Sequence, residues 1–359
     1  MSHYTLYVMS NSPYSDKIRM YLRLKRLPFV EVRENMRNRE SVLRARTGKT
    51  MVPVVITPDD GAMNDSTLIT RALEKRHPKP SLRPGEPARR GLDALLEEYA
   101  DEWVVRAMLA SRWYHEADAE QNRILIAADM TCGAPDIDLT AAKTMLPQGI
   151  VATLPPMGAT PDSLAFLTDD LRGLCRDLDA VFARHRFLGG AEPTVADLAF
   201  YGQLNQMRRD PTGGRIVGDP ELPNLARWFG DVEKRADDQP PAHASEAAPD
   251  ADTLAPLARR IAGTYLRFTV ANARAVEEAP KGSLEVSLAD GVAFRAARAG
   301  YNRKCLQALL GELESAVAAG GRLAGAAADG PILAELAGLG PLLDPFPAIA
   351  KAAREAASH

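Results

Sequence analysis

Thr5-Leu6-Tyr7-Val8-Met9-Ser10-Asn11-Ser12-Pro13-Tyr14-Ser15-Asp16-Lys17-Ile18 decides how the first third of this chain is read. Residues 5–9 are a short apolar run of strand formers. Ser10 to Pro13 is a turn, and Asp16 to Lys25 carries Ile18, Tyr21 and Leu22 on one side, the spacing of a helix. Pro28 ends that helix, and Phe29-Val30-Glu31-Val32 alternates like a second strand. Residues 38–46 are rich in charge and read as a solvated helix. Val52-Pro53-Val54-Val55-Ile56 is a third strand, Asp59-Asp60-Gly61 a turn, and Ala62-Met63 a short fourth strand. Asp65-Ser66 opens a helix that His77-Pro78 closes. The order is β-α-β-α-β-β-α, which predicts a thioredoxin-like domain over residues 1–80.

Three spots in that domain can carry chemistry. A helix N-terminus offers unpaired N–H groups and partial positive charge. A thiol held at Ser12-Pro13-Tyr14-Ser15 therefore loses its proton more easily, and a serine hydroxyl can donate to the thiolate. Pro53 at the start of a strand gives no ladder hydrogen bond. Asp65-Ser66, at a second helix start, can hold a carboxylate. Taken singly, these are a capping serine, an edge proline and another helix cap. Their joint order and spacing resemble the N-terminal domain of the glutathione S-transferases. The resemblance implies a cis peptide before Pro53, with Val52 pairing main chain to main chain with the cysteine of glutathione. It gives the γ-glutamyl end to Asp65 and Ser66, and the sulfur to Ser12 or, two residues earlier, Ser10. Tyr14 and Lys49 complete the implied glutathione-binding set, Lys49 because many members carry a basic residue beside the Val-Pro pair.

Beyond a Pro/Gly-rich stretch at 79–91, read as a linker, Leu92, Leu95, Leu96, Tyr99, Trp103 and Ala107 recur at helical spacing. Residues 131–161 read as a long loop with short helical pieces. Helices are predicted over Leu164–His185, Thr194–Met207 and Leu225–Lys234. Phe187-Leu188-Gly189-Gly190-Ala191-Glu192-Pro193-Thr194-Val195-Ala196-Asp197 is similar to a segment of the same family's helical domain. Thr194 and Asp197 have the spacing of a capping box, a folding element. An all-α domain is thus expected over 91–236. The Pro/Ala-rich stretch 236–251 reads as a flexible linker. Residues 253–359 form an additional module of unknown role: a helix over 254–278, a hairpin around Asp290-Gly291, and a helix over 302–317. The expected fold class is α+β. In the module, Arg259, Arg260 and Arg267 read as a solvated face. Cys305, early in an amphipathic helix, reads as a packing residue before a reactive one.

Composition narrows the function. The 359 residues are 46% hydrophobic and 25% charged, with net charge −3 and pI about 6.1. A basic field is missing, so no nucleic-acid partner is expected. No run of ~18 apolar residues predicts a membrane span, and the first residues lack the order of a signal peptide. Three scattered cysteines and six histidines without metal-ligand spacing predict neither a disulfide framework nor a metal. The expected location is the cytoplasm. Positions 12 and 15 are serines, which excludes thiol exchange there. A tyrosine activator is limited to Tyr7 or Tyr14. The resemblance implies a detoxifying transferase that takes glutathione as co-substrate and a small hydrophobic electrophile, and forms a homodimer. Trp103, Met108 and Trp113 are candidates for the electrophile's cleft, although each alone reads as core. The alternative is a non-catalytic binding or assembly protein on the same fold.

Overall fold

The computed structural model describes residues 3–132, 138–237 and 247–320. The chain begins with β1 (Tyr4–Val8), α1 (Pro13–Leu24) and β2 (Phe29–Arg33). Short helical turns α2 (Met36–Asn38) and α3 (Ala45–Thr47) flank a π-helical segment at Arg39–Arg44. Then come β3 (Val54–Ile56), β4 (Ala62–Asn64) and α4 (Ser66–Arg76). The strands form one sheet in the order β2-β1-β3-β4. β1 and β2 run parallel, joined by α1, as a right-handed crossover requires. β3 and β4 run antiparallel to their neighbours. This is a thioredoxin-like domain.

The second part is helical. α5 (Pro87–Tyr99) begins inside the stretch expected to be a linker. It continues through a π-helical turn (Ala100–Val104) into α6 (Val105–Tyr114), making one long rod. α7 (Glu116–Thr131), α8 (Leu139–Met145) and α9 (Gln148–Val151) follow. The stretch 131–161 thus carries short helices among turns, as expected, although residues 133–137 lie outside the described residues. α10 (Leu164–Phe182), α11 (Val195–Arg209), α12 (Gly213–Val217) and α13 (Pro223–Ala236) complete this part. The capping box is present at α11. Asp197 also accepts from Leu188 N–H and from Trp228 Nε1, both at 3.0 Å.

The C-terminal region carries α14 (Ala251–Ile261), α15 (Arg267–Glu278), the hairpin β5 (Ser283–Ser287) and β6 (Ala293–Ala297), and α16 (Gly300–Gly320). It shares one continuous apolar core with the rest. Trp103 lies 5.2 Å from the Phe294 ring and 5.9 Å from Phe268. Arg260 does not belong to a solvated face: it pairs with Asp170 at 2.8 Å and Asp177 at 2.7 Å on α10. The linker expected at 236–251 falls mostly on residues outside the description, and the chain past 320 lies wholly outside it.

Helix α11 fixes the start of α1. A Cβ on Gly202 would stand 2.4 Å from the Pro13 carbonyl oxygen, against rigid backbone. Glycine is required there for close approach, and nothing cheap can shift. Gly202→Ala should cost about 1–3 kcal/mol, the usual range for overpacking, read as a lower urea midpoint with unchanged m. A midpoint equal to wild type would show that the two helices are not held this closely.

Candidate functional site

The strand register brings the three sequence spots to one rim. Tyr7 pairs with Val54, and Val54 pairs with Asn64. One step beyond that row lie the turn after β1, the Val52–Pro53 segment before β3, and Asp65 before α4. The Val52–Pro53 peptide bond is cis. Val52 precedes the ladder that starts at Val54, so its main-chain polar groups are not used in it. Pro53 is buried, Met51 is 68% exposed, and Lys49 is exposed on the turn ahead of them.

The two candidate serines differ in what their hydroxyls can still do. Ser12 is the N-cap of α1 and accepts from Ser15 N–H at 3.2 Å. Its own proton is left to give. Ser10 is committed: its hydroxyl donates to Asp129 Oδ1 at 2.9 Å and accepts from Arg33 Nη1 at 2.7 Å. Ser10 N–H also donates to Asp129 Oδ2 at 2.6 Å. The same carboxylate pairs with Arg33 at 2.7 Å. Ser10 is therefore a fastener between the sheet and α7, which is a physical reason to prefer Ser12 as a donor to sulfur.

The turn is held from the second domain on every side. Arg112 Nη1 donates to the Asn11 carbonyl at 2.8 Å and its Nε to Asp210 Oδ2 at 2.8 Å. Gln206 Nε2 donates to Asp16 Oδ2 at 2.8 Å. None of these partners carries a local sequence signal. Asp129 is 119 residues from Ser10, and Gln206 is 190 from Asp16.

The tyrosines do not face the turn as activators. The Tyr14 hydroxyl donates to the Asp101 carbonyl at 2.8 Å. Burial, then Glu102 and Asp101, push its phenol well above the ordinary value, so it stays protonated and tied to the rod. Tyr7 packs with Leu43, Val54 and Ile56 beneath the sheet. Trp103, Met108 and Trp113 are all buried, and Trp103 donates to Asp170 at 2.9 Å. They are core, not the wall of an open cleft. A cavity of about 200 Å³ does open at the interdomain connection, lined by Arg83, Asp93, Thr194 and others, but by none of the candidate site residues.

Asp65 has φ +75°, a left-handed conformation that a non-glycine residue adopts at a cost of order 1–3 kcal/mol. Its Oδ1 accepts from Thr67 N–H at 3.1 Å, capping α4. Ser66, 7% exposed, sits at the open first turn beside it. The second oxygen of Asp65 is reached by the C-terminal region: Tyr301 on α16 donates to Oδ2 at 3.1 Å. Nothing in the sequence spacing signals this contact across 236 residues.

Residues 6–81 match the sequence model of the glutathione S-transferase N-terminal domain, and residues 161–231 match that of the C-terminal domain. The chain is a member of the glutathione S-transferase family. A probable glutathione S-transferase, GSTU6, of Oryza sativa subsp. japonica is 27% identical over 116 residues. That match covers 31% of this chain, which spans about half (49%) of the rice protein. Among solved structures, the beta-etherase LigF of Sphingobium sp. strain SYK-6 is 19% identical, with 67% of this chain and all of that one covered and a TM-score of 0.47. A Methylobacterium radiotolerans glutathione S-transferase, in complex with glutathione sulfonate, is 21% identical, with 68% and 97% covered and a TM-score of 0.43. Residues 247–320 lie outside both matched family domains.

In this family member the two domains meet at a buried ion cluster. Lys17 Nζ, on α1, lies 2.8 Å from Glu97 and 2.5 Å from Asp101 on the rod. Burial opposes the lysine's charge, but Asp101 and Glu97 outweigh it and hold the pKa above the usual value. Glu97 also meets Arg83 at 2.9 Å. Burial works against its charge, yet the two cations bring it down to about 2. Asp101 shares Lys17 alone, and burial pushes it up to about 6. Lys17→Met strands Asp101 and leaves Glu97 to Arg83, and should cost about 3–5 kcal/mol. The lost cation lifts the Asp101 carboxyl further above its unfolded pKa, so native protons exceed unfolded protons and stability falls as pH rises. The deficit against wild type should thus be larger at pH 8 than at pH 5 (two conditions for one denaturant titration). Equal deficits would mean the carboxylates do not depend on Lys17.

Proposed function

We propose that this chain binds glutathione along the rim formed by Ser12, Val52 and Ser66 and directs its thiolate at a small electrophile. The observation that supports this most is the strand register, which brings the segments carrying those three residues to one rim, with Val52 outside the ladder and the Ser12 hydroxyl proton left to give. In this reading Val52 pairs with the cysteine main chain through its own N–H and C=O. The first turn of α4, with the Ser66 hydroxyl and Asp65, takes the γ-glutamyl end. The sulfur lies at the N-terminus of α1, where Ser12 Oγ–H and the helix dipole stabilise the thiolate. The thiolate then forms a bond to an electrophilic carbon, whose leaving group departs with its electron pair or whose π electrons move onto an acceptor.

A non-catalytic role on the same scaffold is the second reading. It is favoured by the Tyr301–Asp65 hydrogen bond, which places a residue of the chain itself at the γ-glutamyl end of the rim. Calorimetry with glutathione and turnover of a chromogenic chloronitrobenzene separate the two. Ser12→Ala should leave glutathione affinity within about threefold while lowering kcat/KM by 10²–10³, the usual effect of losing one donor to a developing or resting anion. Ser66→Ala should weaken glutathione binding by roughly tenfold, about 1.4 kcal/mol. Binding without turnover would support the second reading. A protein that takes up no glutathione would sink the first.

A further inference from the structure

Helix α16 crosses α5 where the rod turns, and two acidic side chains meet a thiol there. Glu98 ends α5, and Glu102 lies one turn on, within the π-helical segment. A π turn in a helix re-aims the side chains that follow it and recurs at functional sites. Cys305 enters from α16. One donor atom from each residue, two carboxylate oxygens and Sγ, lie within 4.8 Å of one another. Tetrahedral zinc sets its donors roughly 3.3–3.8 Å apart, given bonds of ~2.0 Å to oxygen and ~2.3 Å to sulfur. Modest side-chain rotations close the difference.

A second feature points to a missing cation. Glu98 is 9% exposed, and its Oε1 has no hydrogen-bond partner. A buried, unsatisfied carboxylate oxygen is costly. The neighbouring cations do not offset it. Lys17 is spent on Glu97 and Asp101. Arg106 donates from Nε to the Glu102 main-chain carbonyl at 3.0 Å and to the Met157 carbonyl, lies 4.2 Å over the Phe268 ring, and makes no ion pair with Glu98. Glu102 Oε2 is oriented from outside by Asn302 Nδ2 at 2.7 Å, the kind of outer hydrogen bond that positions a ligating carboxylate.

We propose that Glu98, Glu102 and Cys305 bind one divalent transition-metal ion of zinc-like chemistry, and that this ion pins α16 to the rod. Thiolate among the donors selects zinc, cobalt or cadmium over magnesium or calcium. Three protein ligands leave a fourth position for water. On binding, the Cys305 thiol proton and any carboxyl proton leave to solvent, so affinity rises with pH. Tyr301, one turn before Cys305, is thereby held over Asp65. No step of the glutathione reading runs through this ion, so the two stand or fall separately.

The test uses the full chain, stripped with chelator, dialysed and titrated with Co²⁺ alone. About one equivalent should bind, with a thiolate-to-cobalt charge-transfer band in the near ultraviolet that Zn²⁺ abolishes by displacement. Cys305→Ser should remove the band. Glu98→Gln should weaken Co²⁺ binding at least tenfold, and Asn302→Ala by 10–100-fold. Cys132→Ser, which alters the exposed cysteine, should leave the titration unchanged. Circular dichroism checks folding, and should Cys305→Ser fail to fold, the Glu98→Gln titration decides. No band in the wild type overturns the site. So does a band lost in Cys132→Ser, or an affinity indifferent to Glu98→Gln.

Discussion

A lysine with no access to water joins the two halves of the site. Lys17 lies on the helix whose first turn would face the sulfur, and its charge is matched only by Glu97 and Asp101 on the rod. Buried ion pairs add little net stability, because desolvation offsets most of the attraction, but breaking one is expensive. The pair therefore works as a constraint on arrangement. α1 can dock on the rod in one register, and Gly202 allows α11 to close on its N-terminus from the other side. Asp16 is drawn in by Asn205 and Gln206 at 2.9 and 2.8 Å. The open turn from Ser10 to Pro13 is thus held by groups on three helices before any ligand arrives. That pre-organisation is what lets a single hydroxyl matter.

The C-terminal region belongs to this frame and does not hang from it. Phe268 and Phe294 pack on Trp103, and Arg260 bridges Asp170 and Asp177. The Arg260 guanidinium lies against Gly173 of α10, where a Cβ would stand 2.3 Å from it. α16 then runs from Asp65, through Tyr301, to Arg71, which lies 3.6 Å from Glu312. The helix touches the first domain at the Asp65 end of the rim. A region absent from the two matched family domains has become part of the walls of the candidate site.

Local chemistry made the thioredoxin-like domain legible. Strand alternation, the prolines at 28 and 53, and the caps at Ser12 and Asp65 each act over a few residues. The capping box at Thr194 was readable for the same reason. The stretch after 131 was readable as loop with short helical pieces because Pro and Gly there break it, leaving only the short helices Leu139–Met145 and Gln148–Val151. Arg260 was misread because its partners lie 83 and 90 residues away. Ser10 stood as the second candidate after Ser12, and Asp129, 119 residues downstream, takes its hydroxyl. Nothing periodic in a sequence records which distant carboxylate a hydroxyl will meet. The roles of the rim residues rest on geometry and resemblance together, since the spacing alone describes helix caps equally well.

The rod's charge distribution links these observations. Over six residues it presents Glu97, Glu98, Asp101 and Glu102, all largely withdrawn from water. Lys17 and Arg83 satisfy the first of them, and Lys17 the third. Glu98 and Glu102 point to the other side, toward α16, where no lysine or arginine makes an ion pair with them among the described residues. A helix segment so acidic would repel itself in water, and burial strengthens that repulsion by lowering the local dielectric. One face of the rod is neutralised by cations folded in from the first domain. The opposite face meets a thiol, an asparagine and a tyrosine, which orient acidic oxygens without neutralising them, and Arg106 is the cation beside Glu102, its Nε on the Glu102 main-chain carbonyl. The asymmetry between the two faces is the physical ground for looking for a cation beneath α16 and not beneath α1.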